Sequence, residues 1–286
     1  MFKFFKAVFN HFFNSNTFQE GASLAYYAVF SMLPIVIIVT SILGVLFGAQ
    51  AVSGTIFTQL EGILGNDAAM QIQDIIKSQH LNHNSVLTTI IGFATLAYSA
   101  SGMFSQVYNS FNRIWGIKEN PKSSILKYLS KQALSFSVLL LLFLVIVGST
   151  TLNTFLFKYV NVIQSASGIT FIYEHLVSFI VFSVIFAIMY KLLGDAIIRW
   201  KPVVITGVFT AILFLIGKIG IGLYIGHSHI TSTFGSASVL ALIMLWVYYT
   251  SQIIFLGASF VKVLSEKMNC EILPNSNAVK AEYKEI

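Results

Sequence analysis

The sequence predicts an all-α, polytopic membrane protein with six transmembrane helices. Of its 286 residues, 56% are hydrophobic and 10% are charged, and the mean hydropathy is +0.79. A soluble domain has about 25% charged residues. No charged residue lies between Glu20 and Glu61, and comparable apolar runs recur along the chain. A hydrocarbon core about 30 Å thick is crossed by roughly 20 apolar residues, and a helix satisfies its own backbone hydrogen bonds there.

The chain begins with a basic amphipathic segment, residues 1–17, which we expect on the cytoplasmic membrane surface. Its phenylalanines recur at helical spacing with lysines beside them, as in helices that lie in the interface. The residues of this apolar face are Phe2, Phe5, Phe9 and Phe12. Thr17 and Glu20 then have capping-box spacing, which predicts the start of the first long helix.

Apolar runs define the six predicted spans, each with ends uncertain by about 2–4 residues. They cover residues 22–47, 86–112, 132–157, 172–193, 203–225 and 237–264. We expect one membrane domain, residues 1–268. Residues 48–84 form an amphipathic extracytoplasmic loop, for which two short surface helices and an ordinary hairpin both fit. The polar tail, residues 269–286, contains Pro274 and is predicted to be disordered.

The basic residues predict the orientation, because cytoplasmic loops are enriched in lysine and arginine. In the predicted topology, most of the 17 basic residues fall on the side of both termini. These are Lys3, Lys6, Arg113, Lys118, Lys122, Lys127, Lys131, Lys191, Arg199, Lys201, Lys262, Lys267, Lys280 and Lys284. Only Lys77 and Lys158 fall on the opposite side. Both termini are therefore predicted to be cytoplasmic.

Ionisable residues at membrane depth are functional candidates, and this chain has few. Lys218 lies inside the fifth span, where it either reaches the outer interface along its apolar stem or faces a polar cavity or lipid headgroup. Asp195 and Arg199 are four residues apart, as in a pair on one helix face. The spans carry no chain of acidic residues and no phosphate-binding loop, which disfavours proton exchange and ATP-driven pumping.

Small residues and prolines indicate where helices bend or touch. Pro34, in the middle of the first span, removes a backbone hydrogen bond and predicts a kink. Gly235 opens the sixth span among other small residues, which favours close helix approach. The single cysteine, Cys270, excludes an intramolecular disulfide and a cysteine-based zinc site, so we expect no metal and no cofactor.

Four blocks carry a resemblance to a known family. They are GASLAYYAVFSMLP (21–34), SASGMFSQVYNSFNRIWG (99–116), RWKPVVITGVFTAILF (199–214) and TFGSASVLALIMLWVYYTSQIIFLGASF (233–260). In these blocks the chain resembles the YihY/BrkB family of bacterial inner-membrane proteins, often labelled ribonuclease BN. The resemblance implies six spans in the inner membrane. Some members are associated with virulence or serum resistance, others with export of lipid or lipopolysaccharide precursors.

The resemblance assigns matching positions but no reaction. They are Tyr26, Tyr27, Ser31, Pro34, Gly102, Asn112, Trp115, Gly116, Trp200, Gly207, Gly235, Trp246, Tyr248 and Gly257. We expect Gly102, Gly207 and Gly257 to serve helix packing. Trp115 and Trp200 fall at the inner boundary and are predicted to be interfacial anchors.

The candidate contacts to substrate or lipid are Tyr26, Tyr27, Lys218 and Arg113. The two phenols either hydrogen-bond within the bundle or reach a lipid headgroup.

The residues disfavour a nuclease and leave three other functions open. A nuclease needs clustered metal ligands, but in the predicted topology all histidines except His11 lie outside, so we expect no catalytic residue and no nucleic-acid partner. The leading hypothesis is transport or handling of a lipid or envelope precursor. The alternative is a non-catalytic scaffold of an envelope complex, with small-solute permeation as a third. We expect membrane lipids as partners, together with either further copies of this chain in a homo-oligomer or an envelope protein.

Overall fold

The computed structural model describes residues 2–30, 70, 102–103, 105–119, 167–227, 238–276 and 278–280. These residues are mostly helical. The helices are α1 (Phe2–Asn14), α2 (residues 17–30), α3 (residues 105–114), α4 (Ser167–Leu192), α5 (Trp200–His227) and α6 (Ser238–Lys267). The strands are β1 (Ile117–Glu119), β2 (Ala196–Ile197), β3 (Leu273–Pro274) and β4 (Ala278–Lys280).

Three of the predicted spans coincide with long helices. The ranges 172–193, 203–225 and 237–264 fall on α4, α5 and α6 within a few residues at most ends. Among the described residues, two segments are long and apolar enough to cross a membrane, Trp200–Ile221 and Leu240–Lys267. The span 132–157, Pro34 and Gly235 lie outside the described residues, as does the loop 48–84 apart from Met70. The number of spans and the orientation of the termini stay predictions.

The chain divides into two compact units. Unit 1 comprises Met1–Thr17, Val107–Leu215 and Gln252–Ile286. Unit 2 comprises Phe18–Gln106 and Ile216–Ser251.

The core of unit 1 is an aromatic cluster. The Phe111 ring centroid lies 5.0 Å from that of Trp115, 5.6 Å from that of Tyr190 and 6.4 Å from that of Phe255. The Tyr190 hydroxyl donates to the Ile254 carbonyl oxygen at 2.9 Å and lies 3.1 Å from the Thr210 hydroxyl. Buried polar groups are stable when they are hydrogen-bonded in this way. The cluster therefore joins α3, α4, α5 and α6 at one level.

Glycines provide the space for these helices to approach. A Cβ at Gly207 would lie 2.6 Å from the Ser183 carbonyl oxygen, so α5 packs directly on the backbone of α4. A Cβ at Gly257 would overlap the hydroxyl groups of Tyr190 and Thr210. Because α6 has no side chain at Gly257, the buried Tyr190 hydroxyl of α4 can occupy this space.

Within the tail, Leu273–Pro274 and Ala278–Lys280 form strands, so these residues differ from the predicted disorder. β4 pairs antiparallel with β1, with Lys118 opposite Val279, and β3 pairs antiparallel with β2, with Ile197 opposite Leu273. A polar composition did not reveal this order, because the partners come from elsewhere in the chain. Residues 277 and 281–286 lie outside the described residues.

The N-terminal helix forms, but its faces differ from the prediction. Val8 and Phe12 are buried, and the Phe4 ring packs edge-on against Phe260 of α6 with centroids 5.1 Å apart. The exposed apolar face consists of Phe2, Phe5, Phe9 and Phe13. Phe12 therefore belongs to the protein core and Phe13 replaces it on the outer face.

The predicted capping box is also wrong. The Thr17 hydroxyl donates to the Phe12 carbonyl oxygen at 3.0 Å, so it completes the end of α1. Asn16, with a positive φ of 53°, makes the turn between the helices. Thr17 and Glu20 have the spacing of a capping box. The Thr17 hydroxyl bonds instead to a carbonyl group at the end of α1, because the last carbonyl groups of a helix have no partner within that helix.

Candidate functional site

The polar contact between α2 and α3 is the candidate functional site, which we name the α2–α3 seam (Glu20, Tyr27, Gly102 and Gln106). All four residues belong to unit 2. The Glu20 carboxylate is only 6% exposed and accepts a hydrogen bond from the Gln106 side-chain amide at 2.5 Å. A Cβ at Gly102 would lie 2.9 Å from Cε1 of Tyr27, so the Tyr27 ring occupies the space that a side chain at position 102 would need.

The order of these contacts defines how the two helices run. Glu20 faces Gln106 of α3, and Tyr27, later on α2, faces Gly102, which precedes α3 in the chain. The two helices are therefore antiparallel, with the polar pair about two turns from the aromatic contact on α2. Glu20 comes directly before the long uncharged stretch that ends at Glu61. The seam thus places a charged group at the entry of the first predicted span.

The two candidate tyrosines have different surroundings. Tyr27 packs onto Gly102, whereas Tyr26 is 56% exposed and its ring centroid lies 4.9 Å from that of Phe30. The Tyr26 and Tyr27 rings contact each other edge-on at 5.8 Å. The Tyr27 ring therefore packs against Gly102, and Tyr26 is the more exposed of the two phenols; contact of either one with a lipid stays a prediction.

The other candidate contacts lie on the surface. Lys218 is exposed on α5 between Ile216 and Ile219, two large apolar side chains that are also exposed. Arg113 is exposed at the end of α3. Lys218 belongs to unit 2 and Arg113 to unit 1.

The two tryptophans do not share a role. Trp115 is 2% exposed, and its indole N–H donates to the Ala258 carbonyl oxygen at 3.1 Å. Its predicted anchoring role is therefore wrong, because the chain after α3 turns it into the aromatic core. Trp200 is 58% exposed at the first position of α5, and its role as an anchor stays a prediction.

A buried polar network replaces the predicted pair of Asp195 and Arg199. α4 ends at Leu192 and α5 begins at Trp200, so the two residues share no helix. The fully buried Asp195 carboxylate accepts from the side-chain amides of Asn112 at 3.2 Å and Asn275 at 3.0 Å. The Asp195 backbone N–H donates to Oδ1 of Asn112 at 2.8 Å. The network thus ties the tail to α3 and to the α4–α5 connection.

Sequence reasoning missed Glu20 and Gln106 as site residues. Glu20 was assigned to a helix cap, and Gln106 lies inside a block in which nothing distinguishes it. The available signal was that Glu20 is the last charge before a long apolar run. Among the described residues, no group of three or more histidine, cysteine or carboxylate side chains could hold a metal ion.

Comparison with known proteins identifies the family. The family model described as "Virulence factor BrkB" matches residues 8–282. A protein of Saccharophagus degradans described as "UPF0761 membrane protein" is 24% identical over 93% of this chain, and a Psychrobacter protein of the same description is 24% identical over 96%. A Pseudoalteromonas translucida relative is 25% identical over 88% of this chain and 82% of its own length.

The chain spans 60% and 50% of the length of the first two of these relatives. No solved structure matches the chain. The match of the family model covers nearly the whole sequence, and the relatives are described as membrane proteins. The chain is therefore a membrane protein that belongs to the BrkB virulence-factor family.

Proposed function

We propose that this protein binds and moves an amphiphile, a lipid or an envelope precursor, as a multi-pass protein of a bacterial inner membrane and without catalysing a reaction. The α2–α3 seam is the observation that carries the proposal. It contains a buried carboxylate held by a side-chain amide at the entry of a predicted span, and the exposed Tyr26 lies about two turns further along α2.

The buried carboxylate is the energetically demanding part of this site. Removing a carboxylate from water is unfavourable unless hydrogen bonds replace its hydration, as the Gln106 amide does in part. Ionisable groups inside membrane helices commonly line the paths of substrates and ions. A carboxylate and an amide would recognise the ammonium or hydroxyl groups of a lipid headgroup. The Tyr26 and Phe30 rings offer apolar surface for the adjoining acyl chain.

The proposal is tested with the purified protein in vesicles that contain a fluorescent phospholipid. Scrambling is measured as the fraction of label that dithionite reduces from outside, and native mass spectrometry identifies the lipids that remain bound. Glu20→Gln removes the charge that strengthens the bond to Gln106. Hydrogen bonds to charged groups contribute about 1.5–3 kcal/mol, so we expect scrambling to be at least about tenfold slower.

Glu266→Gln is the matched control, because Glu266 is an exposed carboxylate that pairs with Lys262 on the same helix. This variant should scramble lipid like the unmodified protein. Equal loss in both variants, or no scrambling of any lipid tested, would contradict the proposal. A single protein retained at fixed stoichiometry, with only bulk phospholipids bound, would indicate the scaffold instead.

A further inference from the structure

A mixed apolar and cationic surface surrounds the start of α5, and we name it the tail patch (Ile197, Trp200, Leu273, Lys191, Arg199 and Lys201). Ile197 is 56% exposed and Leu273 is 49% exposed. All six residues belong to unit 1. The tail patch is thus a separate feature from the α2–α3 seam of unit 2.

Contacts within unit 1 hold these side chains together. Ile197 of β2 lies directly opposite Leu273 of β3 in the antiparallel register, so the two side chains share one face. The Lys191 ammonium lies 5.3 Å from the Trp200 ring centroid and also donates to the Ile198 carbonyl oxygen. The Arg199 guanidinium lies 3.4 Å from the Cys270 sulfur, at the start of the tail. Contacts between the side chains, and not only their closeness in the sequence, therefore hold the patch together.

The position of the tail patch relative to a bilayer follows from α5. The largely apolar segment Trp200–Ile221 has 22 residues, about 33 Å of helix, which matches a hydrocarbon core of about 30 Å. A span of this length puts Trp200 at one boundary of the core, as the sequence predicts. Tryptophan is enriched at this depth, and β2 lies only three residues earlier in the chain. The exposed pair Ile197–Leu273 consequently belongs at the level of the headgroups.

The charges of the tail patch have one sign. In the part of the chain that the structure describes, Lys191, Arg199 and Lys201 form no ion pair. The nearest acidic residues along the chain are engaged elsewhere: Asp195 is buried in its amide network, and Glu271 pairs with Lys280 at 2.6 Å. The patch therefore presents three cations to a partner that carries negative charge.

We propose that the tail patch binds the headgroups of anionic phospholipids, with strand β3 of the tail as part of the contact. Phosphate groups complement the three cations, and the apolar side chains enter the interface between them. Basic residues near an anionic membrane surface contribute about 1 kcal/mol each to binding, a factor of about five in affinity. A protein partner at this place would have to displace headgroups from the start of a spanning helix.

The first test places a fluorophore on the tail. Leu273→Cys and, separately, Ile197→Cys are made in a Cys270→Ser background, labelled with bimane and reconstituted in nanodiscs. Val279→Cys is the matched control, because Val279 is an exposed apolar residue of the other tail strand and lies outside the patch. Brominated phosphatidylglycerol should quench both patch positions and leave Val279 bright. Quenching no stronger than at Val279 would overturn the proposal.

The second test separates headgroup charge from apolar contact. Brominated phosphatidylcholine should quench the patch labels less than phosphatidylglycerol does, and equal quenching would overturn the role of the cations. In the Leu273→Cys protein, Arg199→Gln with Lys201→Gln should raise the apparent dissociation constant for phosphatidylglycerol, measured from the dependence of quenching on its content, about 25-fold. Lys118→Gln with Lys267→Gln removes the same charge elsewhere in unit 1 and should raise it less than about twofold. Equal shifts in the two double variants would contradict the assignment to this patch.

Discussion

Trp115 and Trp200 show that the surroundings of a side chain, rather than its place in the sequence, decide its use. Both come at helix ends that the sequence places at the inner boundary. Trp115 lies in the aromatic core with its indole N–H bonded to the backbone of α6, whereas Trp200 is mostly exposed. Burial of a large aromatic side chain contributes several kcal/mol, which an exposed ring does not.

Trp115→Ala should therefore destabilise the protein far more than Trp200→Ala. Large-to-small changes at buried aromatic positions cost about 3–5 kcal/mol, because they remove contacts and leave a cavity. Surface substitutions usually change stability by less than about 0.5 kcal/mol. Thermal unfolding of both variants in the same detergent measures the difference as a fall in melting temperature. Equal falls would show that Trp115 is not a core residue.

Gly257→Ala tests the contact between α4, α5 and α6 at the scale of a single methyl group. The added Cβ would overlap the Tyr190 and Thr210 hydroxyl groups, and overpacking of this kind costs about 1–3 kcal/mol. Gly220→Ala is the matched control, since a Cβ there meets no atom within 4 Å. Melting temperatures should fall for Gly257→Ala alone, and Tyr190→Phe should restore part of the loss. No restoration would show that the Tyr190 hydroxyl does not cause the strain.

Among the elements, α1 is docked through a titratable residue. Burial lowers the pKa of His11 below its usual value, the nearby Lys262 ammonium lowers it further, and Glu266 opposes them. The folded protein therefore favours the neutral imidazole. The neutral His11 therefore contributes fully to the stability of the folded protein above about pH 6.5, the pKa of the unfolded state. This contribution is lost as the pH falls from about 6.5 toward the lower pKa of the folded state.

The docking of α1 should consequently weaken below about pH 6.5. Hydrogen exchange of the α1 amides, corrected for the intrinsic rate at each pH, should show increasing opening as the solution is acidified. In His11→Gln, which cannot be protonated, this dependence should disappear. A dependence of the same size in the variant would assign it to other groups.

The tail strands depend on the buried Asp195 network, so Asn275 links an element to the core. Asn275→Ala removes one donor to a buried carboxylate, and hydrogen bonds to charged groups contribute about 1.5–3 kcal/mol. Limited proteolysis should cleave the tail of this variant faster than that of the unmodified protein. Glu271→Ala, which breaks only an exposed ion pair with Lys280, should change the cleavage rate little. Similar acceleration in both would argue against the network.

The sequence predicted the long helices well because their signal is local. Continuous apolar runs specify α4, α5 and α6 regardless of what they contact. The two sheets left no such signal, since strands of two or three residues have no measurable periodicity and pair across long stretches of chain. The seam pair Glu20–Gln106 was missed for the same reason, because 86 positions separate its two members.

For the whole molecule, the positive-inside distribution predicts that the tail is cytoplasmic. Val279→Cys in a Cys270→Ser background should react with a membrane-impermeant maleimide in inside-out vesicles and stay unlabelled in right-side-out vesicles. Lys77→Cys, in the predicted extracytoplasmic loop, should show the opposite preference. The predicted number of spans between these two positions is odd. Labelling of both positions from the same side would show that the number is even.

The pairing of the tail also has a consequence for how unit 1 is made. β1 and β2 are synthesised first, yet their partner strands begin at Leu273 and Ala278, after α6 has been translated. Neither sheet can close while the ribosome still holds these late residues. The final step in the folding of unit 1 therefore waits until the tail has left the ribosome, and a nascent chain arrested after α6 would leave both early strands without their partners.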